Sequence, residues 1–336
     1  MGTLIAPGSA VRTTRLRLSS VGRSLCKLLV GLALIGALLW RLDVYVVIAA
    51  LDKYRWSYLL AASLLFLTSF PISALRWKLF APRFALRALL ELTLIGQFYA
   101  VVLPGQLAGE LVKAYRLAKG KADAERLAVS VFVDRVLGMV ALLLVAGAGI
   151  VFSPHRLPAV LSYLVAALML LLLAGLFAFR IRALYALVIP FTRRLHRTRL
   201  QRLASGLERA FDAWRDFSHS PARLLASISL GVVFQCLNVA IHAVLAANLG
   251  IALPLADWAW VVAVESLAVL LPISIGGLGL REGALIGCLV HLGVTGEAAL
   301  ALSLGIFAIM LFGALLGALV ELVAQRTNRS SSADAL

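Results

Sequence analysis

Six ionisable residues fall inside, or within a turn of, long apolar runs: Glu110, Asp134, Arg135, Glu265, Arg281 and Glu282. A charged side chain at the centre of a bilayer costs roughly 3 kcal/mol on the insertion scale, so six isolated charges would cost on the order of 18 kcal/mol. That exceeds the stability of a typical domain, so they must face a polar interior and pair there. Four acids against two arginines predict a formal excess of −2. Protonation, or Lys113 and Arg116 one and two turns past Glu110, would relieve it. Asp134 and Arg135 are neighbours about 100° apart on a helix, which predicts different partners for the two. Glu110 with Lys113 also reads as an interfacial i, i+3 pair, and purely structural ion pairing is the alternative role for the rest. Gln235, Asn238 and His242 share one helical face, a pattern suited to hydrogen bonds between helices.

Guanidinium groups held in such an interior recognise phosphate or carboxylate through paired N–H donors, so the chemistry on offer is anion binding. Nothing resembles a nucleophile–base pair, an HExxH zinc motif or a P-loop. Cys26, Cys236 and Cys288 lie in apolar stretches without CxxC or His/Cys ligand spacing, as small buried hydrophobes do. No catalytic residue, metal site or cofactor is therefore expected.

These groups need apolar elements to hold them, and the composition supplies little else. Of 336 residues 62% are hydrophobic and 14% charged, with a mean hydropathy of +0.97. Soluble chains carry about 45–50% apolar and about 25% charged residues, so both a soluble fold and a disordered chain are excluded. The sequence predicts an all-α polytopic membrane protein. Full spans are expected near 25–40, 56–75, 127–152, 157–179, 224–249 and 298–320. Two further runs, 88–103 and 258–271, stop at Leu103-Pro104 and Leu271-Pro272. At roughly 24 and 21 Å they fall short of a ~30 Å hydrocarbon core. Each is followed by a glycine-rich break and a second short helix, so both read as re-entrant hairpins.

The basic residues support six spans and two hairpins with both termini cytoplasmic. On that topology 26 of the 32 lie inside, four lie outside (Arg41, Lys53, Arg55 and Arg156), and Arg135 and Arg281 remain in the membrane. The excess of 32 basic over 16 acidic residues then follows the positive-inside rule and implies no nucleic acid. The Arg-rich residues 1–24 form a cytoplasmic tail, and the first apolar run lacks an Ala-x-Ala cleavage site, so it stays as an uncleaved span. The membrane domain covers 25–325, including a cytoplasmic loop at 180–222, and a Ser-rich tail covers 326–336. Within the loop Leu200, Leu203, Leu207, Phe211, Trp214 and Phe217 recur at helical spacing opposite charged residues, predicting an amphipathic helix on the membrane surface. A regulatory or docking role is its alternative.

The two Leu-Pro breaks match over Leu103-Pro104-Gly105-Gln106-Leu107-Ala108-Gly109 and Leu271-Pro272-Ile273-Ser274-Ile275-Gly276-Gly277, 168 residues apart. With three spans between them the hairpins would open to opposite sides. Span, span, hairpin, span, repeated in inverted orientation, is an arrangement of secondary transporters. Pro104 and Pro272 remove backbone donors, and Gly105, Gly109, Gly276, Gly277 and Gly279 permit tight reversals. The restarting helices would offer N–H groups to an anion; an ordinary proline kink is the alternative.

Read in order, Arg76-Trp77-Lys78, Leu103-Pro104 through Gly109-Glu110-Leu111, Lys113-Ala114-Tyr115-Arg116, Val133-Asp134-Arg135, Leu271-Pro272 through Leu280-Arg281-Glu282, and Leu292-Gly293-Val294 resemble the lysylphosphatidylglycerol synthase transmembrane, flippase-like family. The resemblance covers about residues 25–325. It implies a lipid-translocation module in a bacterial inner membrane, which larger members join to a cytoplasmic synthase domain. This chain ends at Leu336 without one, as stand-alone members do. An anionic phospholipid, glycolipid or polyprenyl-linked lipid is the implied cargo, membrane lipids the implied partners, and a lipid-synthesising enzyme a further partner to expect. Gln106 departs from the Arg or Gly of many relatives, which argues against a phosphate contact from that position. A secondary transporter of a small anion fits the repeat equally well. A membrane-embedded lipid-modifying enzyme would need an acidic external loop, whereas Asp43, Asp52 and Asp257 are scattered. Lipid identity, direction, energy source and oligomeric state stay open at this point.

Overall fold

A computed structural model describes residues 49, 52–103, 107–119, 123–153, 159–178, 201–270 and 279–333. Among them every regular element is a helix. These are α1 (Trp56–Lys78), α2 (Leu86–Val102), α3 (Leu107–Ala118), α4 (Ala124–Phe152), α5 (Ala159–Ala178), α6 (Gln201–Ser218), α7 (Pro221–Asn248), α8 (Leu255–Val269), α9 (Leu280–His291) and α10 (Gly296–Ala333). Backbone groups cannot stay unpaired in hydrocarbon, so an apolar chain of this kind resolves into helices. Four of them, α1, α4, α7 and α10 as far as Ala324, are long and apolar enough to cross a membrane. The chain is a multi-pass membrane protein. The run expected at 157–179 is α5, 20 residues without a charge, and the expected span at 25–40 lies outside the described residues.

The two runs read as hairpins each give a pair of short helices. The 17 residues of α2 and 15 of α8 reach about 26 and 23 Å, less than a hydrocarbon core. Gly96 of α2 and Gly109 of α3 touch so closely that a Cβ at Gly109 would run into the Gly96 carbonyl. Both lie a few residues from the turn, so α3 runs back along α2. Likewise α9 packs on α8. The breaks themselves, with Pro104, Gly105, Pro272, Gly276 and Gly277, lie outside the described residues. Gly279 takes φ +80° at the start of α9, a left-handed conformation that favours glycine.

The packing brings distant parts of the chain together. Helix α1 lies along α7, α2 along α10, and α4 along both α7 and α8. Small residues permit the closest of these approaches. Side chains at Gly317 and Gly149 would strike the backbone carbonyls of Leu94 on α2 and Ala256 on α8. The largest apolar cluster gathers Trp258, Trp260, Leu245, Leu285, Leu289 and Leu302 from α7 to α10. A second gathers Trp77, Leu89, Leu117, Leu127 and Val131 from α1 to α4.

Helix α6 is the amphipathic helix of the loop, and its apolar side does not simply lie on a surface. Ala213, Trp214 and Phe217 are buried against Phe80, Val133 and Leu137. Its charged side binds α4 through Arg209–Glu125 at 2.7 Å and Asp216–Arg126 at 3.1 Å.

Candidate functional site

Between the helices lies a cavity of about 260 Å³ with polar and apolar walls from α1, α2, α3, α4, α7, α8, α9 and α10. Two clusters of charged side chains stand in it.

The first cluster joins α1, α3 and α4. Arg76 holds Asp134 in a two-pronged pair, Nε donating to Oδ1 at 2.7 Å and an Nη to Oδ2 at 2.9 Å. Both residues are buried. The guanidinium fits because the facing helices carry glycine: a Cβ at Gly138 would come within 2.9 Å of it, and one at Gly231 within 3.4 Å. Lys113 Nζ meets Glu110 at 2.7 Å and lies 5.3 Å from the centre of the Trp77 ring, a cation–π distance. Its methylene stem runs past Gly96, where any side chain would crowd it. Arg135 also lines the cavity, on a different side of α4 from Asp134. Its Nε is buried without a hydrogen-bond partner.

The second cluster joins α7, α8 and α9. Glu265 meets His242 Nε2 at 2.7 Å through one oxygen and pairs with Arg281 Nε at 3.2 Å through the other. All three are buried. His242 Nδ1 lies 2.8 Å from the carbonyl oxygen of Asn238, one turn earlier. Gln97, Gln235 and Asn238 add amide groups to the walls; Gln97 Nε2 and Gln235 Oε1 are buried without hydrogen-bond partners.

Several sequence-based expectations need correction. Arg76 counted among the cytoplasmic basic residues, and the structure buries it at 7% exposure as the partner of Asp134. Arg135 and Arg281 are thus not the sole cations in the interior, since Lys113 is buried as well. Glu282 turns away from the cavity: its carboxylate accepts from the Gly279 N–H and receives the Ser303 hydroxyl at 3.3 Å, closing the first turn of α9. Arg116 pairs with Glu321 on α10, also outside the cavity walls. Gly109 seats α3 on α2 inside a helix instead of making the break. Asp257, read as an external acid, is fully buried in the first turn of α8.

These shifts reverse the sign of the site. The expected excess was negative. In the structure Arg76, Lys113, Arg135 and Arg281 face Glu110, Glu265 and, behind Arg76, Asp134. Among the described residues, four cations against three carboxylates leave the cavity surroundings net positive, and protonation of His242 would add to it. Sequence reasoning missed Arg76, Gln97 and Glu321. A usable signal was present for the first, because Ser69, Ser73 and Arg76 recur at i, i+4 and i+7 and all line the cavity.

A family model described as "Lysylphosphatidylglycerol synthase TM region" matches residues 24–317. No curated protein and no solved structure matches the chain.

Proposed function

Because the chain belongs to the lysylphosphatidylglycerol synthase TM region family, we propose that it carries lipids bearing an anionic headgroup from one membrane leaflet to the other. The observation that carries this reading is the excess of cations around the cavity, which Arg135 lines with its guanidinium Nε lacking a hydrogen-bond partner. A phosphate entering beside Arg135 would share the cation-rich wall with Lys113 and Arg281. The lipid tails would stay in the bilayer while the head uses the polar interior, a carrier's task that needs no catalytic group.

The architecture we propose around this cavity is an inverted repeat of six spans and two re-entrant hairpins in a bacterial inner membrane, with both termini cytoplasmic. Matched packing supports it. The α2–α10 contact has its counterpart in α4–α8, α2–α3 in α8–α9, and α3–α4 in α9–α10, with α1 against α7 between them. Matched residues support it too: Lys113 and Arg281, Gln97 and Glu265, and Gly149 and Gly317 are each 168 residues apart, the offset of the two Leu-Pro breaks. A lipid-synthesising enzyme on the membrane would be the natural partner to supply the cargo.

Leaflet-resolved transport of fluorescent phosphatidylglycerol in reconstituted vesicles tests the reading. A charge-assisted hydrogen bond contributes about 1.5–3 kcal/mol, so Arg135→Ala should slow transport ~10- to 100-fold. Arg135→Lys should fall between, keeping the charge but losing the planar fork. Normal transport by a folded Arg135→Ala, Arg281→Ala double variant would overturn the proposal.

A further inference from the structure

His242 sits between two oxygens, and satisfying both takes one proton more than a neutral ring beside an ionised carboxylate carries. The Asn238 carbonyl can only accept, so Nδ1 at 2.8 Å carries a hydrogen. A neutral ring would then turn the lone pair of Nε2 toward the Glu265 oxygen at 2.7 Å, where an ionised carboxylate also offers only lone pairs. The contact requires one more proton, on Nε2 or on Glu265. Arg281 sits on the second carboxylate oxygen, so the proton is held within a buried group of three side chains.

The walls around the pair are contributed by several helices, with Glu110 and Lys113 of α3 in the same cavity. From α7 the pair meets Gln235 and Asn238, and from α8 Ser266 and the Trp258 ring 6.3 Å from the imidazole. From α9 it meets Arg281 and Cys288, near enough to sense the charge of Glu265. Helix α10 contributes Ile306, Ile309 and Met310 to the same cavity, and Arg76 and Arg135 stand in it from α1 and α4. The proton site thus opens into the cavity that we propose receives the anion.

We infer that the His242–Glu265 pair is a proton-binding site linked to anion occupancy of the cavity, so that lipid carriage is coupled to protons. The inference rests on the reading of the cavity as a headgroup site. A bound anion favours the extra positive charge, and by reciprocity the proton favours the anion. With one linked proton, anion affinity is highest while the pair is protonated. It falls as pH rises through the titration of the pair, by at most tenfold per pH unit. The proton enters from water in the cavity and returns to water when the anion leaves, so no other reactant is needed.

Titration calorimetry on the full chain in nanodiscs, from about pH 5 to about pH 9 across the histidine range, tests the linkage. Dihexanoyl phosphatidylglycerol is the probe, since its phosphodiester keeps one negative charge throughout; dimethyl phosphate, a free anion of the same chemistry, is the second arm. Affinity for the lipid probe should weaken several-fold per pH unit in the native protein. It should be independent of pH in His242→Gln, whose amide still donates to Glu265, and in Glu265→Gln, which removes the paired acid. The two variants guard against either one failing to fold. Lipid binding with no pH dependence in the native protein would overturn the inference and leave the carrier reading standing, as would an unchanged slope in both variants. Absence of lipid binding at every pH would overturn the carrier reading and the coupling with it. Dimethyl phosphate binding as tightly as the lipid probe would overturn lipid coupling in favour of a free-anion carrier.

Discussion

At the scale of single residues the interior is held by pairs whose members come from different helices. Removing one partner of a buried pair strands the other, which costs about 3–5 kcal/mol. Asp134→Asn should therefore lower stability by about that amount, because Arg76 loses the carboxylate gripping both prongs of its guanidinium; thermal unfolding in detergent measures it. Arg135→Ala should cost less than Asp134→Asn, since its Nε is without a hydrogen-bond partner and it acts on Glu110 through its charge alone, while transport suffers. The contrast separates a structural cation from a ligand-facing one. Part of this was legible in advance: Asp134 and Arg135, adjacent in sequence, face different sides of α4, Asp134 toward Arg76 and Arg135 toward the cavity. The identity of the partner of Asp134 was not, because Arg76 lies 58 residues away near the end of its helix, where a sequence count reads an arginine as a surface charge.

At the scale of helices, apolar length located α1, α4, α5, α7 and α10 and the Leu-Pro breaks located the short pairs, because both depend on local composition. Which faces meet depends on where the chain carries no side chain. Gly317 and Gly149 admit the carbonyls of α2 and α8, and such contacts are invisible in a sequence with 26 glycines. Gly317→Ala should overpack the α2–α10 contact and cost about 1–3 kcal/mol, read as a fall in the unfolding midpoint of the purified protein. The docking of α6 was legible only as amphipathicity. Its apolar face meets Phe80 and Val133, and Trp214→Ala should free it, seen as faster amide hydrogen exchange over α6 with α7 unchanged.

At the scale of the whole molecule, the proposed topology makes a claim about sides. With both termini cytoplasmic, cysteines introduced at Ser9 and Ser331 should resist a membrane-impermeant maleimide in intact cells and react after permeabilisation. External labelling of either would overturn the orientation. The charge of the interior is also a property of the whole, and its sign was the part least accessible to sequence. It turns on two lysine and arginine side chains drawn inward and one glutamate turned back to its own helix end, choices made by tertiary contacts.

The Arg76–Asp134 pair also sets a timetable for assembly. Arg76 leaves the ribosome 58 residues before Asp134, an interval of about 3–12 s at usual rates of synthesis. Until then α1 carries a cation whose carboxylate partner has yet to be made, and its main packing partner α7 is later still. The insertion machinery must hold α1 in a watery or interfacial position until α4 arrives. Biogenesis of this protein is thus a delayed closure in which Arg76 meets its carboxylate only when α4 reaches the membrane.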